Sequence, residues 1–222
     1  MTEQSVDRHL QRLKTPRAAA VAGVLFALIF GTVLVLIRLA LPDGAEHGTQ
    51  WADGHADMIR WATILMPFAG ITFLWFIGVV RDGFGVLEDK FFSSVFLGSG
   101  LLFLAMMFAA AAVGKGLAAG KRAGDDAPSA ELAAFGQTMV TTLSNTYALR
   151  MAAVFMMSLA TIWLKTRLMP TWLVVASYVA SVSVLIASDV SLWITLVFPI
   201  WVLVVSLTIL SRRSEGPPPD RS

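Results

Sequence analysis

Arg150 stands inside "NTYALRMAAVF", where the residues around it otherwise read as the start of a membrane-spanning helix. A guanidinium carries its charge at every physiological pH and presents a planar fork of donors, so it can grip a carboxylate or phosphate through two parallel hydrogen bonds. Laying the apolar segments side by side brings four more ionisable residues to the same level: Arg38 ends the first segment, Asp57 and Arg60 begin the second, and Asp189 joins the fifth to the sixth. If the bundle closes as a ring, Arg150 can pair with Asp189 or Asp57. The surplus of three arginines over two aspartates then favours an anionic headgroup or a substrate carboxylate. Asn145, Thr146 and Tyr147 belong to the same pocket on this reading. Arg150 lies about five residues from its helix end, roughly 7 Å deep. Three roles compete for it: a snorkelling anchor, half of a structural ion pair, and an anion-binding group.

Other chemistries lack their parts. The segment "EHGTQWADGHAD" offers Glu46, His47, Asp53, His55 and Asp57, but the spacing fits no compact zinc pattern and reads as a solvated acidic loop. Haem held between helices requires imidazoles inside the spans, and His9, His47 and His55 fall outside them. No lysine falls within a span to form a Schiff base, and no serine–histidine pair or pair of helix-borne acids suits an intramembrane hydrolase. No catalytic, metal or cofactor site is therefore predicted, and the chain reads as a non-enzyme. "GVVRDGFG" places Gly78, Asp82 and Gly85 as in the loop after the second helix of major facilitator transporters, yet Gly83 and Val86 replace the basic residues expected there. The ordinary reading is a turn anchored by Arg81.

The elements that must position these residues are membrane helices. Of 222 residues, 56% are hydrophobic and 14% charged, against about a quarter charged in soluble domains. Mean hydropathy is +0.71. Apolar runs of the length needed to cross about 30 Å of hydrocarbon predict six helices, over 18–40, 60–80, 91–113, 144–164, 171–188 and 190–210. The fold class is thus all-α, an integral membrane bundle of six spans, with residues 1–17 a basic tail, 18–210 the membrane domain and 211–222 a disordered tail. The first apolar run is too long for the core of a signal peptide and is read as a retained span. A net charge of +2 with dispersed basic residues gives no nucleic-acid surface, and the absence of cysteine excludes disulfides and thiolate chemistry.

Arg8, Arg12, Lys14, Arg17, Arg81, Lys90, Lys165, Arg167, Arg212, Arg213 and Arg221 fall on one side of this arrangement, which places both termini in the cytoplasm. Trp61, Trp163, Trp172 and Trp193 are expected at the two interfaces as aromatic belts, whereas Trp75 and Trp201 are expected between helices. The fourth helix is expected to begin near Ser129, outside the membrane, after Asp126, Pro128 and before Glu131. Small residues four apart (Ala19 and Gly23, Ala27 and Gly31, Ser94 and Gly98, Ala110 and Gly114) predict close helix approach. Pro67 and Pro199 are expected to bend the second and sixth helices.

Four stretches, "RWATILMPFAGITFLWFIGVVRDGFG", "EDKFFSSVFLGSGLLFLAMMF", "YALRMAAVFMMSLATIWLKTRLMPTW" and "FPIWVLVVS", together resemble a group of bacterial, mainly actinobacterial, six-span membrane proteins of unassigned function. The likeness covers about residues 60–210. It implies the six-span fold and gives weight to Arg60 at the start of the second span, to Arg150 before "MAAVF", and to Arg81 and Asp82, but it implies no activity. The resulting expectation is a multi-pass protein of a bacterial plasma membrane that binds or transports a lipid or small anion at an outer-leaflet arginine cluster. The alternative is an accessory subunit of a larger membrane complex. Membrane lipids are the expected partners, with a homo-oligomer or larger assembly possible through the small-residue faces and no nucleic acid.

Overall fold

In the computed structural model, residues 3–40, 56–82, 90–120, 130–187 and 192–211 are described, and all of them except 167–170 are helical. The elements are α1 (Glu3–Ala40), α2 (Ala56–Asp82), α3 (Lys90–Gly120), α4 (Ala130–Thr141), a π-helical segment (Thr142–Ala148), α5 (Leu149–Thr166), α6 (Thr171–Ala187), a 3₁₀ turn (Leu192–Leu196) and α7 (Val197–Ser211). Five stretches are long and apolar enough to cross a membrane: Ala20–Ile37, Asp57–Asp82, Lys90–Leu117, Ala134–Thr166 and Ile194–Ser211. A sixth, Thr171–Ile186, is apolar but shorter. The acidic loop with His47 and His55, and the C-terminal tail, lie outside the described residues.

Several boundaries differ from the hydropathy reading: α2 begins at Ala56 rather than 60 and α3 runs on to Gly120 rather than 113. The first helix runs back without a break to Glu3, through residues read as a tail. The last begins as a 3₁₀ turn and becomes α-helical only at Val197, so Pro199 occupies the first turn of α7 rather than its interior. A proline there removes an amide that a helix start leaves unpaired anyway. Pro67, by contrast, sits within the unbroken α2.

The helices close into a ring. α1 packs on α2 and α7, α2 on α3, α3 on α4, the π segment and α5, α5 on α6, and α6 on α7. Phenylalanines from five helices fill its axis. The Phe73 ring lies 4.6 Å from Phe26, 5.4 Å from Phe103, 5.3 Å from Phe155 and 5.8 Å from Phe198. Phe198 closes the set at 4.8 Å from Phe103. Most of these pairs are edge-on or tilted, the arrangement that the ring quadrupole favours and that contributes on the order of 1 kcal/mol per pair beyond contact area. In lipid, where tails are as apolar as side chains, such shape-matched packing rather than water exclusion holds helices together.

Glycines set the spacing between helices at several points, Gly100 and Gly23 among them. A Cβ on Gly100 would meet Ile77 at 2.7 Å and Phe155 at 3.1 Å, so this α3 position admits both neighbours to the axis. A Cβ on Gly23 would fall on the Ser206 hydroxyl and meet Phe76 at 2.8 Å. Among the described residues the buried Ser206 hydroxyl has no hydrogen-bond partner, and its closeness to the Gly23 backbone suits a weak Cα–H contact that partly offsets the loss. Of the small-residue pairs singled out in the sequence, the one ending at Gly23 makes a tight approach. Around Gly31 and Gly98 a Cβ would meet nothing within 4 Å.

The tryptophans correct the belt assignment in part. Trp61 and Trp172 are exposed near helix ends and Trp201 is buried, as expected. Trp163 is 2% exposed and Trp75 is 64% exposed, the reverse of expectation. Depth along a helix was legible, but the face was not: Phe155, Leu159, Ile162 and Trp163 form one stripe toward the ring interior, whereas Phe68, Ile71 and Trp75 point outward.

Candidate functional site

The site is built on one continuous helical rod. α4, the π segment and α5 contribute 12, 7 and 18 residues end to end, a rod of roughly 55 Å that exceeds a hydrocarbon core of about 30 Å. Its α4 half pairs with the far end of α3, where a Cβ on Gly136 would strike the Leu117 side chain and one on Gly114 would touch Val140 at 3.9 Å.

The change of helix type follows from local composition. Thr138 donates to the Ala134 carbonyl at 2.9 Å, Thr141 to Gln137 at 2.9 Å and Ser144 to Val140 at 2.7 Å. Hydroxyls bonding back one turn compete with the backbone ladder and loosen it. Thr138 and Thr141 stand just before the wider register of Thr142–Ala148, and Ser144 lies within it. Single π turns inside α-helices recur at functional sites because they re-aim carbonyls and side chains.

Arg150 follows at the second residue of α5 and is half-buried. Its guanidinium Nη1 donates to the Thr146 carbonyl at 3.1 Å. Side chains on a helix lean toward its N-terminus, so this bond folds one guanidinium nitrogen back over the π segment. Asn145 is half-buried beside it in sequence and its Oδ1 accepts from Ser144 at 3.3 Å, whereas Tyr147 is 53% exposed. Arg150 lies roughly 22 Å along the helix from Lys165, near the middle of the apolar stretch Ala134–Thr166.

The α5–α6 seam fixes what lies opposite. Thr161 and Tyr178 share a hydrogen bond of 2.7 Å, and Leu149 and Ala153 pack with Val184. This antiparallel register sets Arg150 level with the last turn of α6, immediately before the connection that carries Asp189. Asp189 itself lies outside the described residues.

The remaining candidates stand apart from this point. Asp57 and Arg60 are exposed in the first turns of α2, on the outward face that continues through Ile64, Phe68, Ile71 and Trp75. α2 packs on α1 and α3, so α3 separates Arg60 from Arg150 around the ring. Arg38 belongs to the last turn of α1, and its side chain lies outside the described residues. The described geometry therefore gathers Asn145, Thr146, Tyr147 and Arg150 on one segment and sets Asp57 and Arg60 on another. Among the described residues no group of three or more potential metal ligands converges.

Sequence reasoning found Arg150 and the polar run before it but missed the π register and two links between helices. Besides the Thr161–Tyr178 bond, Trp201 Nε1 donates to Ser177 Oγ at 2.8 Å, and that hydroxyl donates to the Leu173 carbonyl at 2.7 Å. The signal available was the one run of Thr, Ser and Asn in an otherwise apolar helix. No family model, curated protein or solved structure matches this chain.

Proposed function

We propose that this chain is a six-span protein of a bacterial plasma membrane, with both termini cytoplasmic, that binds the anionic headgroup of a lipid or a small anion at Arg150 and the adjoining π segment without catalysing a reaction. The observation that carries the reading is the Arg150 guanidinium, half-buried and donating to the Thr146 carbonyl within the π segment. A cation held there meets phosphate or carboxylate with reduced competition from water, and charge-assisted hydrogen bonds contribute about 1.5–3 kcal/mol. The phenylalanine-filled axis supports access from the bilayer side rather than passage through the ring. Native mass spectrometry of protein extracted gently from its own membrane tests this. A stoichiometric anionic species that disappears in Arg150→Gln, with thermal stability unchanged, is the expected result; a variant that retains the species removes the proposal.

A second reading, an accessory subunit of a larger assembly, is favoured by the open space around Gly31, Gly78 and Gly98, where a partner helix can approach closely. Gly98→Leu is then expected to release a co-purifying protein without affecting Arg150-dependent binding.

A further inference from the structure

The opposite end of the bundle carries a second site. α5 ends there at Thr166, beside the start of α3 and the start of α6. The Lys165 ammonium does not extend away from the bundle: it lies 4.5 Å from the centre of the Phe92 ring. Because its side chain leans toward the α5 N-terminus, back along the apolar part of the helix, the ammonium is held beside the apolar surface, with the aromatic face as its support. Arg167 follows at the left-handed turn that ends α5, at φ 52°, and is exposed. Two large apolar side chains are exposed at this end: Phe91, whose ring lies 5.3 Å from that of Phe92, at 68%, and Trp172, in the first turn of α6, at 57%.

Charge and surface select the partner. Among the described side chains at this end, Arg81, Lys90, Lys165 and Arg167 face one carboxylate, Asp82. The same end thus offers both cations and exposed aromatic rings. A lipid satisfies both, its phosphate on the cations and its acyl chains along the rings, the pairing that also concentrates Trp and basic residues at membrane interfaces. We infer that the surface formed by Lys165 over Phe92, Arg167, Phe91 and Trp172 is a binding site for an anionic phospholipid, distinct from the Arg150 site.

The test uses the full-length chain in nanodiscs of equal phosphatidylglycerol and phosphatidylcholine, released into the gas phase for lipid counting. Wild-type protein is expected to retain phosphatidylglycerol preferentially. The double variant Lys165→Gln/Arg167→Gln is expected to lose that preference by about thirtyfold, at roughly fivefold for each basic group near the surface. Lys115→Gln, on the distant part of α3, should leave it unchanged, and millimolar inorganic phosphate should not displace the lipid. Far-UV circular dichroism of the double variant confirms the fold, and Lys165→Arg/Arg167→Lys should restore retention. Equal retention of the two lipids by wild-type protein, retention unaltered in the double variant, or displacement by phosphate alone would each overturn the inference. Loss in Arg150→Gln but not in the double variant would also overturn it while leaving the proposed Arg150 site standing.

Discussion

The ring axis and the helix that carries Arg150 are held in opposite ways. At the axis, Phe26, Phe73, Phe103, Phe155 and Phe198 come from five different helices, so each ring is fixed by residues distant in sequence. Along the π segment the hydroxyls bond carbonyls one turn away, and Arg150 does the same to Thr146. These bonds tie the helix to itself. The difference teaches where tolerance lies: the axis sets the fold and gives little room for change, whereas the hydroxyl-to-carbonyl bonds of the π segment stay within one helix.

The sharpest way to break the comparison is Phe73→Ala. It empties the centre of the ring and should lower unfolding stability by about 3–5 kcal/mol, read by denaturant titration in detergent micelles, while Arg150-dependent binding changes far less in the molecules that remain folded. Trp163→Leu and Trp75→Leu contrast a 2% exposed side chain with a 64% exposed one. The first should cost roughly 2 kcal/mol, and the second should stay within about 0.5 kcal/mol, as for surface substitutions generally. A smaller effect is expected at the α5–α6 seam. A double-mutant cycle of Thr161→Val and Tyr178→Phe should give a coupling of about 0.6 kcal/mol, typical of hydrogen bonds between membrane helices; a value near zero would mean that the seam does not set the register that brings Arg150 level with the end of α6.

Much of the architecture was readable in the chain. Hydropathy located the five apolar stretches long enough to cross a membrane and the shorter sixth among the described residues, and the pattern around Glu131 anticipated an early start to the fourth, which runs from Ala130. Faces were not readable, as Trp75 and Trp163 show, because α2 and α5 are apolar on both sides and the lipid-facing and buried stripes have the same composition. Nor did small-residue spacing identify the tight contacts: Gly100 makes one without belonging to a recognised pair, and Gly98 belongs to a pair without making one. At the site, Arg150 was conspicuous as a charge in an apolar segment. The π register was hidden because it depends on how hydroxyls and carbonyls divide their hydrogen bonds, which residue spacing alone does not determine.

Hydrogen exchange of the peptide covering residues 142–151 tests the central claim most directly, because it reports on the π segment itself. With the protein in nanodiscs containing phosphatidylglycerol, these amides should exchange about tenfold more slowly than in phosphatidylcholine alone, as expected for charge-assisted contacts of at least 1.5 kcal/mol, and Arg150→Gln should abolish the difference. Equal exchange in the two lipids, together with no stoichiometric anion on protein taken from its own membrane, would contradict the account and leave Arg150 as an anchor folded onto its own helix.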